Sequence, residues 1–239
     1  MNPNSELVSK KDAAEGTTSF HFKKPEGFVF KAGQSIDLTL INPPETDAEG
    51  NTRAFSINNA PSDPEIMITT RMRDTAFKRV LKNAPMGMKV EIAGPFGSFT
   101  LHEKQSRPAI MLVGGIGITP FHSMILDATE RKLPHKIYLF YSNRRPEDAA
   151  FLQELQDLTK KNPNFTFIPT MTDMEKSKQP WNGETGYITR AMIEKHVSNR
   201  EDALYYSAGP ATMVAAMRKI VEEMGVSADD FKTEEFTGY

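Results

Sequence analysis

Two patterns of apolar residues divide the chain near Leu101. Before this residue, apolar and polar residues alternate in short runs such as 35–40 and 66–72, which predicts β-strands with one buried face. Turns rich in Gly and Pro separate the runs, and one short helix is predicted with Asp74 as its N-cap and Phe77, Val80 and Leu81 on one face. Many short strands joined by turns are typical of a small antiparallel β-barrel.

From Pro108 onward, strand-like and helix-like segments alternate. The predicted strands are 109–113, 136–141, 165–168, 203–206 and 231–236, and 170–186 is a long polar loop. Helices are predicted at 146–160, from Thr189, and in the segment with the inward-facing residues Met213, Met217, Ile220 and Met224. This alternation predicts a doubly wound parallel sheet with ligands at the carboxyl ends of its strands. We therefore expect an α+β chain of two domains, 1–104 and 105–239.

A glycine cluster follows the first predicted strand of the second half. Gly114, Gly115 and Gly117 allow a sharp turn and a close approach of the backbone to a ligand. Thr119 suits the N-cap, and Pro120 the first position, of the helix that follows. A strand, a glycine turn and a helix N-terminus together offer backbone N–H groups and a positive dipole end to a phosphate. A tight turn without a ligand is the alternative.

The turn departs from the dinucleotide-binding fingerprint. Pro120 stands where the third glycine is expected, and the acidic residue expected about 20 positions further on is missing. The next predicted strand instead leads to Ser142, Arg144 and Arg145. A hydroxyl and two guanidiniums suit the 2′-phosphate of NADPH better than a ribose diol. The alternative is that both arginines are solvated surface residues.

Composition and charge exclude several classes of function. The chain has 29 basic and 31 acidic residues and no basic run interleaved with aromatics, which argues against a nucleic-acid partner. It has no cysteine, hence no disulfide, thiol nucleophile or Cys-ligated metal centre. Its five histidines show no metal-ligand spacing. Because no apolar run has transmembrane length and residues 1–16 lack the apolar core of a signal peptide, we expect a cytoplasmic location and no membrane partner.

A series of short motifs resembles, in type and order, those of the ferredoxin–NADP reductase superfamily, whose members are FAD- and NAD(P)-binding oxidoreductases. The motifs are RAFS (53–56), RDTAFKRVL (73–81), GPFGSF (94–99), GGIGITP (114–120), YSNRR (141–145), AGP (208–210) and EEFTGY (234–239). The resemblance runs from Phe20 to Tyr239. It implies a Greek-key β-barrel that binds FAD at 1–104, an α/β domain that binds NAD(P) at 105–239, and a single-chain reductase without an iron–sulfur domain.

The resemblance implies roles for the residues of the first half. Arg53 would neutralise the FAD pyrophosphate, Phe55 would pack on the isoalloxazine ring, and Ser56 would hydrogen-bond near flavin N5. The family usually has Tyr where Phe55 stands, so the ring is kept and its hydroxyl is lost. The other cofactor-binding residues of this half would be Ala54, Thr70, Arg71, Thr75 and Ala76, the last two through backbone N–H groups given to the FAD pyrophosphate at a helix start. Ordinary structural roles are the alternative for each.

In the second half, the resemblance assigns the NAD(P)H site. Gly114, Gly115, Gly117 and Thr119 would hold the pyrophosphate, and Ser142 with Arg144 or Arg145 would bind the 2′-phosphate. Ser207 stands where the family often has Cys, ahead of Gly209 and Pro210 on the nicotinamide side. Tyr239 resembles a terminal aromatic that covers the flavin in some members, and a disordered tail is the alternative. Catalytic roles are thus predicted for Ser56, Ser207 and Tyr239.

These assignments predict an FAD-dependent oxidoreductase that takes hydride from NAD(P)H, with NADPH preferred. Its electrons would pass to a ferredoxin, a flavodoxin, an oxygenase component or a small molecule. Glu147 and Asp148, close behind the arginines, leave NADH open. One alternative is an NAD(P)H:flavin reductase with a dissociable flavin, since such reductases also have Phe in this motif. Another is a non-catalytic nucleotide-binding electron-transfer or sensor subunit, because a fold alone does not settle function.

Overall fold

The alternating runs of the first half form a six-stranded antiparallel sheet in the order β4-β3-β6-β1-β2-β5. The computed structural model describes residues 3–236. The strands of this sheet are β1 (Asn4–Ala14), β2 (Thr17–Lys23), β3 (Ser35–Leu40), β4 (Thr52–Ser56), β5 (Glu65–Arg71) and β6 (Lys89–Phe96). In β3 the burial alternates as predicted, with Ile36, Leu38 and Leu40 buried and the residues between them half-buried.

The two edge strands of this sheet, β4 and β5, meet through the residues that follow β4. The backbone N–H of Asn58 donates to the carbonyl oxygen of Met67 in β5 at 2.9 Å. Backbone hydrogen bonding therefore continues from one edge of the sheet to the other, and the sheet curls around a core of aliphatic and aromatic side chains. The antiparallel Greek-key barrel predicted for the first half is confirmed.

Helix α1 (Ala76–Asn83) covers one end of the barrel, and its start corrects a prediction. Thr75 is the N-cap, because its hydroxyl oxygen accepts a hydrogen bond from the Lys78 N–H at 3.4 Å. Asp74 forms an ion pair with Arg79 at 2.6 Å instead. The predicted apolar face is correct, since Phe77, Val80 and Leu81 are buried in the barrel core.

The second half forms a six-stranded parallel sheet in the order β10-β9-β8-β7-β11-β12. Its strands are β7 (Ala109–Gly114), β8 (Ile137–Asn143), β9 (Phe165–Met171), β10 (Glu184–Thr185), β11 (Leu204–Pro210) and β12 (Phe231–Phe236). The helices are α2 (Ile118–Glu130), α3 (Leu152–Lys161), α4 (Arg190–His196) and α5 (Ala211–Glu223). Three strands differ from the prediction: β9 and β10 take up parts of the expected loop, and β11 continues to Pro210.

Helices cover both faces of this parallel sheet. Residues of β7 point alternately to a core shared with α2 and α3 and to a core shared with α4 and α5. All six residues of β7 are buried, as a central parallel strand requires. Met213, Met217, Ile220 and Met224 belong to or pack against the second core, as predicted. The doubly wound architecture is therefore confirmed.

The helix predicted at 146–160 is interrupted near its start. Pro146–Asp148 form a short 3-10 helix, and α3 begins only at Leu152. Phe151 adopts a left-handed backbone conformation with φ of 61°. Its ring stacks on the imidazole of His122, with 4.0 Å between the ring centroids. This tertiary contact turns the chain at a position where the sequence pattern alone indicates a continuous helix.

Direct hydrogen bonds join the barrel to the parallel sheet. In α2, Nδ1 of His122 lies 2.6 Å from the carbonyl oxygen of Asn58, and the Ser123 hydroxyl donates to the carbonyl oxygen of Asn59 at 2.7 Å. At the β1–β2 turn, the N–H of Glu15 donates to the carbonyl oxygen of Glu147 at 2.8 Å. The predicted boundary at 104 and 105 lies in the segment between β6 and β7. These contacts bring the RAFS segment and the glycine turn to the same cleft.

Candidate functional site

A cavity of about 350 Å³ lies between the barrel and the carboxyl ends of the parallel strands. Its walls come from β4, β5, the start of α1, the glycine turn and the end of β12. The cavity brings together many of the predicted site residues, namely Arg53, Ala54, Phe55, Ser56, Thr70, Arg71, Thr75 and Thr119. It therefore combines most of the residues predicted for the first half of the chain with Thr119, one of those predicted for the NAD(P)H pyrophosphate.

Ser56 is the last residue of β4 and is buried at the cavity wall. Its Oγ has no hydrogen-bond partner among the described residues. A buried hydroxyl without a partner is costly unless a ligand or water satisfies it. The side chain is therefore suited to the predicted hydrogen bond with a flavin ring.

Arg53 and Phe55 precede Ser56 on β4, and both contact α1. The ring of Phe55 lies 5.9 Å from that of Phe77, centroid to centroid, and is half-buried at the cavity. The Arg53 guanidinium lies over the Phe77 ring, 5.3 Å from its centroid. Both positions agree with the predicted flavin roles. However, both Nη atoms of Arg53 already bind the loop that precedes β4.

The glycine turn has the predicted strand–turn–helix geometry, with one correction. A 3-10 turn at Gly115–Gly117 follows β7, so α2 begins at Ile118 and Gly117 takes the N-cap position. Thr119 is therefore the second residue of α2 and not its N-cap, and its hydroxyl donates to the carbonyl oxygen of Ile116 at 3.1 Å. Pro120 remains within the first turn, where its missing N–H breaks no helical hydrogen bond.

Two positions in the turn require glycine for different reasons. A Cβ on Gly117 would lie 2.3 Å from the carbonyl oxygen of Ala208 in β11, which leaves no space for any side chain. Gly115 has φ of +52°, and a Cβ there would lie 3.3 Å from Nη2 of Arg71. Arg71, at the end of β5, thus places a guanidinium from the barrel beside the glycine turn. This juxtaposition joins a cation to backbone N–H groups, as an anion site requires.

The structure places Ser207 inside the parallel sheet and not at the cavity. Ser207 is fully buried in β11, its hydroxyl donates to the carbonyl oxygen of Leu112 at 2.9 Å, and it does not line the cavity. The geometry therefore gives no support for direct contact between Ser207 and a cofactor. Gly209 and Pro210 end the same strand, and a Cβ on Gly209 would lie 3.2 Å from the carbonyl oxygen of Gly114. These two residues close one side of the glycine turn.

The segment predicted to bind a 2′-phosphate begins at Ser142, which pairs with Gly114 in the parallel register. Arg145 donates two hydrogen bonds to the carboxylate of Asp148, at 2.9 and 2.8 Å, and lies 3.2 Å from a carboxylate oxygen of Glu15. The bonds to Asp148 hold the pKa of Arg145 above its usual value. Arg144 is exposed, and no hydrogen bond or ion pair joins its guanidinium to another residue in the described part of the chain.

The two acidic residues that follow these arginines, Glu147 and Asp148, also form hydrogen bonds. The Glu147 carboxylate accepts hydrogen bonds from the Ser177 hydroxyl and from the Lys178 N–H, the latter at 2.6 Å. The hydrogen bonds from Arg145 hold the pKa of the Asp148 carboxyl below its usual value. Neither carboxylate is therefore available to bind a ribose diol without losing these contacts. Ser142 and Arg144 are the polar side chains that remain for a nucleotide.

Glu234 is a site residue that the sequence analysis did not single out. It lies on β12 at the cavity wall, and its Oε2 is buried without a hydrogen-bond partner within residues 3–236. Burial raises the pKa of its carboxyl to about 7. The only signal in the sequence was its place in the EEFTGY motif. Tyr239, which ends that motif, lies outside the described residues.

Residues 3–236 contain no group of three or more His, Cys, Asp or Glu side chains arranged to hold a metal ion. None of the described helices has both the length and the apolar character needed to cross a membrane.

Comparison with known proteins relates the chain to oxidoreductases. Residues 111–219 match the family model of the oxidoreductase NAD-binding domain. The glycine betaine monooxygenase reductase subunit of Chromohalobacter salexigens is 28% identical over 223 residues, which make up 92% of this chain and 60% of that protein. The chain thus spans about 60% of the length of this relative.

Two solved structures share the whole fold. The flavohaem-like FAD/NAD-binding domain of nitric oxide dioxygenase from Vibrio cholerae has a TM-score of 0.85 at 18% identity and covers 99% of both chains. A ferredoxin–NADP⁺ reductase from Neisseria gonorrhoeae, solved with FAD and NADP, has a TM-score of 0.80 at 20% identity and covers 97% of both chains. The predicted resemblance to the ferredoxin–NADP reductase superfamily is confirmed. Fold and family match together support the predicted class, an NAD(P)H-dependent flavoprotein reductase with FAD as its flavin.

Proposed function

We propose that this chain transfers hydride from NADPH, in preference to NADH, to FAD and passes the electrons to an external protein acceptor. The proposal rests mainly on the cavity between the barrel and the parallel sheet. The RAFS segment and Arg71 line this cavity, and the Arg71 guanidinium lies beside the glycine turn. FAD, when bound, supplies the hydride acceptor and releases electrons singly, so the protein's part is to bind and orient. The acceptor would be an oxygenase component, a ferredoxin or a flavodoxin. The reductase subunit of a monooxygenase among the relatives favours the first.

Each residue of the cavity would have a defined task. Ser56 would donate a hydrogen bond to the flavin ring, and Phe55 would pack against it. The glycine turn and Arg71 would bind the NADPH pyrophosphate and so hold the nicotinamide near the flavin. No side chain needs to act as a general acid or base, because hydride moves directly between the two cofactors.

The preference for NADPH would rest on Ser142 and Arg144. Arg145 is restrained by Asp148 and Glu15, so its guanidinium is less available to a phosphate than that of Arg144. A hydroxyl and one free guanidinium still favour a 2′-phosphate over a diol. The cytoplasmic location and the roles of Ser207 and Tyr239 remain predictions.

The alternative, an NAD(P)H:flavin reductase with a dissociable flavin, is favoured by one observation. Arg53, which should bind the FAD pyrophosphate, is held by Asp47 and Glu49. A pyrophosphate that competes with two carboxylates is retained less tightly, which suits a flavin that leaves after each turnover.

Steady-state oxidation of NADPH by the FAD-loaded chain distinguishes these functions. Turnover should be faster with a one-electron protein acceptor, such as a ferredoxin or flavodoxin, than with free FMN, and FAD should stay with the protein through gel filtration. Loss of flavin on the column, with turnover that depends on added free flavin, would establish the flavin reductase instead. Absence of NADPH oxidation under both conditions would contradict the proposal.

A further inference from the structure

The loop between β3 and β4 contains three carboxylates that all bind arginines. We define the acidic loop as residues 45–50, with the carboxylates of Glu45, Asp47 and Glu49. The two carboxylate oxygens of Glu45 share the Nε–H of Arg79 in α1, at 3.1 and 3.2 Å, and one of them also accepts a hydrogen bond from Nη2 of Arg79. Asp47 and Glu49 both bind Arg53, the arginine of the RAFS segment. The acidic loop is thus bound both to α1 and to the start of β4, the strand that contains the RAFS segment.

Arg53 directs both of its terminal nitrogens into the acidic loop and its flanking residues. Its Nη2 lies 2.9 Å from a carboxylate oxygen of Asp47 and 3.0 Å from one of Glu49. Its Nη1 donates to three backbone carbonyls, those of Glu49, Gly50 and Thr52, at 2.8 to 3.0 Å. Only 19% of its side chain is exposed. An anion that binds the terminal nitrogens of Arg53 must therefore replace at least one of these contacts.

Asp47 binds Arg53 as an anionic ligand would. Its carboxylate accepts a hydrogen bond from Nη2 of Arg53 at 2.9 Å and one from the backbone N–H of Glu49 at 3.1 Å. Burial opposes ionisation of Asp47, but the bonds from Arg53 and Glu49 hold the pKa of its carboxyl below its usual value. A charged carboxylate thus occupies the arginine that a pyrophosphate would bind.

From this geometry we propose that Asp47 and Glu49 determine flavin specificity by competing with the flavin pyrophosphate for Arg53. This inference rests on the proposed function, because it takes the flavin to bind beside Arg53. It follows that the two carboxylates weaken the binding of FAD but not of riboflavin, which has no phosphate. Asp47 and Glu49 would therefore set how readily FAD dissociates.

Other cations in the cavity give an incoming pyrophosphate a first contact. Arg73 and Lys78 line the cavity beside Arg53. Neither forms an ion pair with any residue in the described range. A pyrophosphate can therefore be drawn in by these two side chains before it displaces the carboxylates from Arg53.

The test compares flavin dissociation constants for the full-length protein after removal of bound flavin. Asp47→Asn and the double variant Asp47→Asn/Glu49→Gln are titrated with FAD and with riboflavin by calorimetry. Asp74→Asn is the matched control, because it removes the same charge beside α1 while contacting Arg79 and not Arg53. We expect the double variant to bind FAD about three- to tenfold more tightly, riboflavin affinity to change by less than about twofold, and the control to change neither.

Unchanged or weaker FAD binding by the folded double variant would overturn the inference, because the two carboxylates would then only position Arg53 and not compete with the flavin. Circular dichroism of each variant checks folding, and Glu49→Gln alone serves if Asp47→Asn does not fold, because the Glu49 side chain is 75% exposed. The proposed function fails separately, if the wild-type protein binds neither flavin. If wild-type FAD is reduced by NADPH while the double variant shows no gain in affinity, only this inference fails.

Discussion

The guanidinium of Arg71 lies beside the backbone of Gly115, so that a Cβ on the glycine would be 3.3 Å from Nη2. Arg71 belongs to the barrel and Gly115 to the turn after the first parallel strand. The barrel and the glycine turn therefore meet beside the cavity. Because this contact joins the two predicted cofactor sites, substitutions at either residue test whether they work together.

Replacing Arg71 should weaken nicotinamide nucleotide binding. For Arg71→Ala we expect KM to rise about tenfold for both NADPH and NADH, because a charge-assisted contact to the pyrophosphate common to both is lost. Arg71→Lys should recover part of this loss, since it keeps the charge without the planar fork. Steady-state kinetics with both nucleotides measures the effect. A rise confined to NADPH would place Arg71 at the 2′-phosphate instead.

A side chain at Gly115 should act on the same site. For Gly115→Ala we expect a higher KM for NADPH, because the residue has φ of +52° and the new Cβ meets Arg71. Strain of this kind destabilises a fold by about 1 kcal/mol. Gly225→Ala is a matched control, because it also has positive φ but has open space around it and lies outside the cavity. Equal KM values for the two variants would contradict a nucleotide role for Gly115.

Ser56 should affect the flavin and not the nucleotide. In Ser56→Ala the rate of flavin reduction by NADPH should fall about tenfold, while the KM for NADPH stays unchanged, because in the proposed site the hydroxyl would bind the flavin ring and not the nucleotide. Anaerobic stopped-flow absorbance measures that rate. Ser35→Ala serves as control, since Ser35 lines the same cavity. If both variants reduce flavin at the wild-type rate, Ser56 has no part in hydride transfer.

The two arginines after β8 should differ in their effects. We expect Arg144→Ala to raise the KM for NADPH about tenfold and to leave that for NADH unchanged. Arg145→Ala should change both by less than about threefold, because Arg145 is bound to Asp148 and Glu15. A selective loss of NADPH affinity in Arg145→Ala alone would show that the nucleotide displaces those carboxylates.

Glu234 should make the stability of the protein depend on pH. Burial raises the pKa of its carboxyl from 4.5 to about 7, so the folded protein holds a proton there that the unfolded chain has released between these values. The contribution of Glu234 to the free energy of unfolding therefore falls as pH rises from 4.5 to about 7. Glu234→Gln should be more stable than wild type above pH 7, by about 1–3 kcal/mol, and equal to it below pH 4. Urea unfolding at several pH values measures this, and a constant difference across that range would contradict it.

The fold and the place of the site followed from local patterns in the sequence. Alternating apolar residues such as Ile36 and Leu38 indicate a strand with one buried face, because successive side chains point to opposite sides of a sheet. The continuous apolar run of β7 indicates a strand that is buried on both faces. The glycine turn was recognisable because its backbone geometry excludes side chains, as at Gly117. These signals depend on neighbouring residues and are therefore visible in one sequence.

The ion pairs and the burial of the site side chains could not be predicted in the same way. Arg53 and Arg145 were expected to be free for phosphates, yet Asp47 and Glu15 bind them through contacts that only the folded chain creates. Glu234 has an unremarkable sequence neighbourhood, and burial at the cavity wall alone changes its pKa. Asp74 was expected to be the N-cap of α1, but it pairs with Arg79, and Thr75 takes the N-cap position.

If the proposed function is right, NADPH and FAD meet in one cavity of this chain and exchange hydride there. Anaerobic mixing of the FAD-loaded protein with one equivalent of NADPH, followed by the visible absorbance of the flavin, tests this exchange. We expect loss of the oxidised flavin spectrum in a single turnover, faster with NADPH than with NADH, and slower in Ser56→Ala. A flavin that stays oxidised while calorimetry shows NADPH bound to the same protein would contradict it.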